Sequence, residues 1–395
     1  MSRKTVFISI LSGWLALSAC TLPSIVVSRP AVTPLLAETL AAVAQAPGSS
    51  PTATQAISMQ PESSQPPPAS PSEFAPPSPT LPPLPSPTPA PVLRQLTSGG
   101  CCAQPFWAPD GQHILFLDKP FPDAPAGIWM VDLAGGAPQL FTDRLGIYSS
   151  DFSLRAFPLK GQTFIERMAD GERWVIANGG RSVSFSPDGA WIAWVGGSSG
   201  PPFDTPQRQI WISNVDGSQA RLVHTMFGGG LSGWFPDGRM LVNGRLSADE
   251  EGQALWALSL SAETGGEPQL VELARGGRRR SVTISPDDAW LAYVVTFSSD
   301  SAQDGLWLVN TLTLERRRLD IFGAFRWRDG QRLLVIPLDL EQPVHRLWQV
   351  DAASGQIEPL TDPSITPLRI ANGDWSISPD GSQVIFVSAL AYNIW

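Results

Sequence analysis

Phe185-Ser186-Pro187-Asp188-Gly189 is one copy of a short motif that recurs along this chain of 395 residues. Proline presets its own φ, aspartate can bond nearby backbone amides, and glycine accepts a positive φ. Each copy therefore predicts a tight turn between two strands. Further copies, some of them incomplete, begin at Trp107, Trp234, Ile284, Trp327 and Ile377, and a degenerate copy spans Phe157 to Gly161.

A tryptophan that follows each turn motif sets the length of the repeat. Successive copies lie 45, 37, 45, 51, 41 and 47 residues apart, at Trp129, Trp174, Trp211, Trp256, Trp307, Trp348 and Trp395. The first unit shows the content of one repeat, with strands predicted at Pro105–Ala108, His113–Leu117, Ile128–Asp132 and Gln139–Thr142. Four-stranded units at this spacing are typical of propeller blades. The sequence thus predicts an all-β, seven-bladed β-propeller over residues 93–395, with six blades as the alternative.

The two ends of this region are predicted to pair with each other. The last unit stops at Trp395, inside its third strand, and Leu93–Thr97 matches the fourth strand of the preceding unit at Ile357–Thr361. An N-terminal strand that completes the last blade would close the ring and remove exposed strand edges. A truncated gene and a loosely closed ring are the two explanations that we keep for the short final unit.

Residues 1–20 have the order of features expected of a bacterial export signal. Arg3 and Lys4 precede an apolar run, Val6 to Leu17, that is too short to span a bilayer as a helix. Leu17-Ser18-Ala19-Cys20 resembles a lipobox, in which Cys20 becomes lipidated, and an ordinary cleaved signal is the alternative. Residues 21–92 are predicted to form a disordered linker, because residues 47–91 contain sixteen prolines and few large apolar side chains.

The repeated unit resembles the repeat of the TolB-type (WD-repeat-like) β-propellers of bacterial envelopes. The resemblance rests on the turn motif, on an aliphatic-Trp pair such as Ile128-Trp129, and on a Leu-Thr pair such as Leu360-Thr361. It covers nearly all of residues 93–395. It implies the propeller fold and a place in the cell envelope, on the cell surface or in the periplasm. It implies no particular activity, because such repeats occur in binding proteins, secreted peptidases and lipoproteins alike.

Composition and motifs favour a protein that is not an enzyme. The net charge of −9 gives no basic footprint for nucleic acid. The motif aspartates are explained by their turns, and the three histidines fall in different units, so we expect no metal site. Gly196–Gly200 matches G-x-S-x-G, but two prolines follow it where a nucleophile elbow needs a helix. The sequence shows no catalytic residues and no cofactor motif.

The propeller face opposite the turn motifs is the expected binding surface, because it carries the longer and more variable loops. Seven candidate binding residues fall on the predicted links between blades, near the mouth of the channel: Cys101, Cys102, Phe227, Arg278, Arg279, Arg280 and Asp374. The arginines would form charge-assisted hydrogen bonds with an anionic partner. The two cysteines are adjacent, so a bridge between them would be strained, and two reduced thiols are the alternative.

These features give three hypotheses for function. The leading one is a monomeric lipoprotein, held at a membrane by a lipid on Cys20, that binds an envelope protein or peptide. The second is a binder of a small ligand or glycan in the propeller channel, with or without catalysis. The third is a propeller that remains from a secreted peptidase, which the short final unit suggests.

Overall fold

The computed structural model describes residues 91–100, 102–197, 205–260, 267–298, 300–338 and 344–395. Within these ranges the protein is all-β, as the repeats predict, apart from one 3-10 turn at Ser301–Gln303. Other predictions fall outside the described residues and remain predictions: the export signal, Cys20, most of the linker, Cys101 and the end of the Gly196–Gly200 motif. The described residues include no helix that is long and apolar enough to cross a membrane.

Consecutive strands form antiparallel sheets. The first sheet contains β1 (Ala103–Trp107), β2 (His113–Asp118), β3 (Gly127–Asp132) and β4 (Gln139–Thr142). The second contains β5 (Ile147–Tyr148), β6 (Leu154–Leu159), β7 (Gln162–Arg167) and β8 (Arg173–Ile176). The third has seven strands: β9 (Val183–Phe185), β10 (Trp191–Gly197), β11 (Gln207–Asn214), β12 (Arg221–Trp234), β13 (Met240–Arg245), β14 (Ala254–Ser259) and β15 (Gln269–Arg275).

The remaining strands follow the same order. The fourth sheet contains β16 (Arg279–Ile284), β17 (Trp290–Val295), β18 (Gly305–Asn310) and β19 (Arg316–Arg318). The fifth contains β20 (Gly323–Trp327), β21 (Arg332–Pro337), β22 (Trp348–Asp351) and β23 (Ile357–Pro359). The last pairs β24 (Ile370–Ile377) with β25 (Val384–Ser388), and Trp395 adds backbone hydrogen bonds to Phe386 at 3.0 and 3.1 Å.

Aspartate side chains hold the turn motifs, as the sequence predicts. Asp188 Oδ1 accepts hydrogen bonds from Ser186 Oγ at 2.5 Å and from the Ala190 amide at 3.1 Å. Asp287 and Asp380 bond in the same way within their own turns. This local bonding explains why the residue recurs without assigning it any chemistry.

The second sheet corrects the predicted position of its turn. The turn between β5 and β6 is Ser149–Phe152, in which Ser149 Oγ donates to Asp151 Oδ1 at 2.6 Å and Phe152 takes the positive φ (60°) of the usual glycine. Phe157 to Gly161 lies instead on β6 and on its hairpin to β7. The proline and glycine of that stretch imitate the motif, whereas the true copy has neither.

The tryptophan of this unit is also displaced from its predicted strand. Trp174 lies on β8, the fourth strand of the sheet, and not on the third. The third-strand position belongs to Phe164, whose ring stacks on Phe157 at 5.6 Å, as Trp211 stacks on Trp194 at 6.3 Å in the next sheet. The unit keeps the cross-strand aromatic pair although it has lost the tryptophan.

One strand, β12, serves two successive repeats without a loop between them. It runs for 14 residues and pairs with β11 through its first half and with β13 through its second. A register shift between Phe227 and Gly230 marks a bulge at the crossing. Gly229 has φ +64°, and a Cβ there would collide with the Asn243 side chain, so the crossing requires glycine. Phe227 therefore lies within a continuous strand and not on a link.

The first and last sheets pack together through a shared hydrophobic cluster. The cluster joins buried residues of both sheets and of the N-terminal segment: Leu96, Trp107, Ile114, Phe116, Trp129, Val131, Ala371, Ile385, Val387 and Ile394. Comparable clusters lie between successive sheets, including one between β17–β18 and β20–β22. Because each sheet buries its faces against its neighbours, the core is divided among these interfaces.

The N-terminal segment bonds to the end of the chain as predicted. Leu96 N donates to Ile394 O at 2.8 Å, and Ile394 N donates to Thr97 Oγ1 at 2.9 Å. In the preceding sheet, Leu360-Thr361 bonds to Leu347 through the same atoms at the same two distances. The two Leu-Thr pairs occupy equivalent places, so the predicted contact between the two ends is confirmed, but residues 93–97 form no β-strand, as the prediction had them do.

A buried carboxylate, Glu166, is surrounded by arginines in the second sheet. Its side chain is 1% exposed, and its oxygens lie 2.8 Å from Arg155 Nη2, 2.8 Å from Arg173 Nη2 and 3.5 Å from Arg144 Nη1. Arg155 is itself only 8% exposed and lies over the Phe157 ring at 4.2 Å. Burial raises the pKa of Glu166, but the hydrogen bond from Arg173 and the charges of the arginines outweigh it and lower that pKa.

Asp288 occupies the glycine position of its turn motif. Its φ of 64° is close to those of Gly111 (66°) and Gly381 (73°). Burial raises the pKa of Asp288 to about 6, and the charge of Asp237 adds to the shift. Its Oδ1 atom is buried and has no hydrogen-bond partner among the described residues. The ionised side chain therefore destabilises the fold.

We expect Asp288→Asn to raise the free energy of unfolding at about pH 7.5 by about 1 kcal/mol. The pKa of Asp288 in the folded state, about 6, lies above the ordinary value of 3.8. Ionisation of Asp288 therefore lowers the free energy of unfolding progressively as the pH rises above 3.8 and through about 6. Urea denaturation should show the gain at about pH 7.5 and none at about pH 4. The control Asp216→Asn should bring no gain, because hydrogen bonds from Ser218 lower the pKa of Asp216. An equal gain from Asp288→Asn at both pH values would contradict the charge-based explanation.

Candidate functional site

A cavity of about 320 Å³ opens between the innermost strands of three sheets, β16, β20 and β24. It lies at the end of the sheets opposite the turn motifs, where β16 and β20 begin and β17 and β21 end. Its lining combines arginines with apolar and small residues and includes Arg280, Ser281, Phe322, Arg326, Leu338 and Gly373. We call this cavity the recess.

Arg326 lies in the recess because of the alternation of β20. Phe325 and Trp327 belong to the hydrophobic core, so Arg326 points to the other side of the strand, where it is exposed. Its guanidinium donates to Phe325 O at 2.9 Å and lies over the Trp375 ring at 5.3 Å. Desolvation by the surrounding protein lowers the pKa of Arg326, and the charge of Asp374 opposes that shift. A solvent-accessible side chain that the protein still desolvates is expected in a recess.

Arg280 is the second cation of the recess. It is exposed on β16, and its guanidinium lies over the Phe297 ring at 5.8 Å. Among the described residues, no carboxylate lies within 4.0 Å of either Arg280 or Arg326. Each guanidinium has five N–H groups, and most of these remain available to a ligand.

Asp374 brings a negative charge to the edge of the recess. It follows Gly373 of the lining on β24. Burial raises the pKa of Asp374, while a hydrogen bond from the backbone amide of Gln104 and the charge of Arg326 act in the opposite direction. With all three groups ionised, Asp374 and the two arginines carry a net charge of +1, in a chain whose net charge is −9.

Bulges in the innermost strands set the positions of these side chains. Register shifts interrupt β1 within 103–106, β16 within 280–283 and β24 within 370–375. Gln104 and Ser281 occupy equivalent places in two of these bulges and have φ values of 53° and 52°. Non-glycine residues with positive φ store strain, and both bulges and strain are frequent at functional sites.

The structure brings together two of the candidate residues predicted from the sequence. Arg280 lines the recess and Asp374 lies at its edge. Phe227 lies on β12 and Arg278 precedes β16, and neither lines the recess. Cys102 precedes β1 and is disulfide-bonded, so the alternative of a reduced thiol is wrong for this residue.

Arg279 has a structural role that the run of three arginines in the sequence does not reveal. Its guanidinium donates from Nη1 to Gly276 O and from Nη2 to Gln253 O, both at 2.5 Å. Desolvation lowers its pKa. Arg279 therefore ties the link after β15 to the loop before β14, and it is not offered to a partner.

Arg326 is the site residue that reasoning from sequence missed. A signal was present in the repeat itself. The position before the last large residue of an innermost strand is small and polar in several units, at Ser184, Thr283 and Ser376, whereas β20 carries an arginine there. A charged residue at a position that is small and polar in several other units marks a candidate site.

A second cavity, of about 480 Å³, borders the fifth sheet, and its lining includes Asp320, His345, Arg346 and Trp348. Desolvation lowers the pKa of His345, and its Nδ1 accepts a hydrogen bond from the Ile370 amide at 3.1 Å. This histidine is thus a neutral part of the fold. The described part of the chain contains no group of three or more His, Cys, Asp or Glu side chains that could hold a metal ion.

Comparison with known proteins supports the fold and not an activity. No protein-family model and no curated protein matches the sequence. An oligogalacturonate lyase in complex with manganese is 16% identical, with a TM-score of 0.51 over 76% of this chain and 90% of that one. The oligogalacturonate lyase from Vibrio parahaemolyticus is 14% identical, with a TM-score of 0.51 over 76% and 91% of the two chains.

TolB from Acinetobacter baumannii is 18% identical, with a TM-score of 0.34 over 59% of this chain and 57% of that one. This likeness is too weak to carry an argument. The two lyase structures, at their low identities, are evidence about architecture alone. Together with the repeated antiparallel sheets, they show that the described residues have a β-propeller-like fold.

Proposed function

We propose that this protein is a lipid-anchored, extracytoplasmic, seven-bladed β-propeller that binds another protein or a peptide through the recess. The observation that carries the binding function is an apolar rim around a charged cavity. Phe297 is 80% exposed, Leu338 is 65% exposed and Phe322 is 40% exposed. The last two line the recess, and Phe297 lies against Arg280. Clustered exposed apolar groups are typical of interaction sites.

The arrangement of sheets supports the count of seven blades. The sheets β1–β4, β5–β8, β16–β19 and β20–β23 supply one blade each. The seven-stranded sheet supplies two, because β12 is shared, and β24–β25 with the two ends of the chain supplies the last. The cluster between the first and last sheets supports a closed ring.

The proposed anchor rests on the export signal and on the lipobox that ends at Cys20. One thioether-linked diacyl group with an N-terminal acyl chain would hold the propeller at a membrane outside the cytoplasm. Incorporation of labelled palmitate in a bacterial host tests this directly. Incorporation that persists after Cys20→Ala, or that is absent from the wild type, would rule out the anchor.

The binding surface can be tested by affinity capture from native membranes with matched variants. We expect Phe297→Asp and Phe322→Asp each to reduce recovery of the partner at least about tenfold, as expected for central apolar contacts. Leu312→Asp is the control, because Leu312 is 82% exposed and lies in the turn between β18 and β19, at the other end of the sheets. Recovery that neither rim change alters would remove the recess from the binding surface.

A small ligand or glycan is the second candidate, because the recess volume falls at the lower end of the range for ligand pockets, about 300–1,000 Å³. The neighbouring structures are named for oligogalacturonate, and arginines are suited to binding carboxylated sugars. Thermal denaturation with and without oligogalacturonate tests this candidate. A rise in the midpoint that Arg326→Gln abolishes would support it, and no rise would exclude this ligand.

A further inference from the structure

We infer that the recess binds the free C-terminal carboxylate of a peptide whose last residue is apolar. This inference rests on the proposed binding function of the same recess and specifies what it recognises. Four properties of the recess support it: the donors that are available, the net charge, the apolar lining and the size.

The hydrogen-bond donors are the N–H groups of two arginines, each of which is held in place by an aromatic ring. Arg280 lies over Phe297, and Arg326 lies over Trp375. A cation–π contact restrains a guanidinium without using its N–H groups, of which Arg326 gives, among the described residues, only Nη1 to a backbone carbonyl, that of Phe325. The N–H edge of a guanidinium matches the two oxygens of a carboxylate, with which it can form paired hydrogen bonds.

The net charge favours an anion with one charge. Asp374 accepts a hydrogen bond from the Gln104 amide and acts on Arg326 without approaching it within 4.0 Å. The recess therefore keeps a charge of +1, which one carboxylate neutralises. A doubly charged phosphate would leave an excess negative charge beside Asp374, which like-charge repulsion disfavours.

The apolar lining suits the side chain next to that carboxylate. Val294, Ala324 and Phe322 line the recess together with the arginines, and Leu338 extends the apolar surface outward. The backbone hydrogen bond from Leu338 N to Phe322 O, at 3.0 Å, holds the two rim residues together. Burial of an apolar side chain here would add a favourable transfer free energy and would shield the carboxylate from water.

The size of the recess favours the end of a chain over an internal acidic residue. A cavity of about 320 Å³ accommodates only a small part of a peptide. An internal Asp or Glu could place its side-chain carboxylate in this space, but the same residue would bring no apolar side chain with it. A C-terminal residue supplies the carboxylate and the apolar side chain together.

The test uses fluorescence anisotropy with the folded protein and labelled hexapeptide pools. One pool has random residues at its first five positions and Leu at the last, with a free carboxylate, and a second pool is the same with a C-terminal amide. We expect the carboxylate pool to bind at least about tenfold more tightly, the scale expected for a charge-assisted pair. The difference should shrink at high salt, because ionic contacts are screened.

Variants assign the effect to the two arginines. Arg326→Gln and Arg280→Gln should each abolish the preference for the carboxylate pool, and Arg326→Lys should retain part of it. Arg278→Gln is the matched control, since Arg278 is exposed close by but does not line the recess. Thermal melting of each variant checks that it folds. Because Arg280 is exposed, Arg280→Gln is expected to fold normally and tests the inference even if Arg326→Gln is unstable.

Each outcome decides between the two proposals. Equal binding of the carboxylate and amide pools would overturn terminal carboxylate recognition and leave the recess as a binding surface. If an amidated pool with Glu at the fifth position binds as tightly as the carboxylate pool, the recess recognises an internal acidic side chain and not the end of the chain. No binding of any pool would overturn this inference, while the capture experiment with the rim variants would still decide the proposed function.

Discussion

Replacing Glu166 with glutamine should lower the free energy of unfolding by about 3 kcal/mol, the loss expected when one member of a buried ion pair is removed. Glu166 is 1% exposed and lies 2.8 Å from the nearly buried Arg155. Glutamine keeps the size of the side chain and removes its charge, so the Arg155 guanidinium would stay buried without a counter-ion. Arg173 and Arg144 are about half exposed, and water would compensate their loss.

Urea denaturation measures the effect, and Glu172→Gln provides the control. Glu172 is half exposed and pairs with Arg167 at 2.8 Å, so its loss should cost about 0–1 kcal/mol, as for other surface pairs. The pH dependence gives a second check. Because the folded-state pKa of Glu166 is lowered, its contribution is present above the ordinary value of 4.5 and disappears as the pH falls below it. A variant as stable as the wild type near neutral pH would show that the cluster contributes no net stability.

Leu96→Asp should be comparably damaging, with an expected loss of about 3–5 kcal/mol for an unpaired charge placed in a core. Leu96 is buried in the cluster that joins the first and last sheets, and its amide bonds to Ile394. An aspartate there would carry its charge into that cluster and would separate the N-terminal segment from the end of the chain. The thermal midpoint and urea denaturation both measure this loss.

Further variants distinguish loss of the contact between the two ends from simple loss of core packing. Val92→Asp is the surface control, because Val92 is exposed, and it should leave stability unchanged. Thr97→Val removes only the hydroxyl that accepts from Ile394 N, and it should cost about 1–2 kcal/mol. Thr361→Val removes the equivalent bond of the preceding sheet. Loss from Thr361→Val but none from Thr97→Val would mean that the two ends are not held together in solution.

Local chemistry made most of the fold predictable. The turn motif has a physical cause in each residue, and the predicted strands of the first unit match β1 to β4 within two residues at each end. The match of Leu93–Thr97 to Ile357–Thr361 predicted the closing contact, in which the Thr97 hydroxyl and the Leu96 side chain both have partners. The second sheet was not predictable in the same way, because Ser149–Phe152 keeps the bonding of the motif but not its proline or glycine.

The site was predictable only in part. In this sequence, the links between repeats cannot be told from the beginnings of the innermost strands. The three arginines at 278–280 look like one basic patch in the sequence. In the structure, Arg280 lines the recess, whereas Arg279 donates hydrogen bonds to two backbone carbonyls. Such a difference depends on which carbonyls a neighbouring loop presents. Phe227 was predicted to lie on a link, whereas the glycines that follow it allow a bulge inside the continuous strand β12. Arg326 needed an alignment of the units with one another before its position stood out.

The shared strand β12 also has a consequence for how the molecule opens. Elsewhere, short segments such as Gly276–Gly277 separate one sheet from the next and can absorb motion. At β12 the last strand of one repeat and the first strand of the following one form a single hydrogen-bonded strand, which is interrupted by the bulge near Gly229. Opening of either repeat therefore disturbs backbone hydrogen bonds of the other. We expect the amide hydrogens of these two repeats to exchange together as one block.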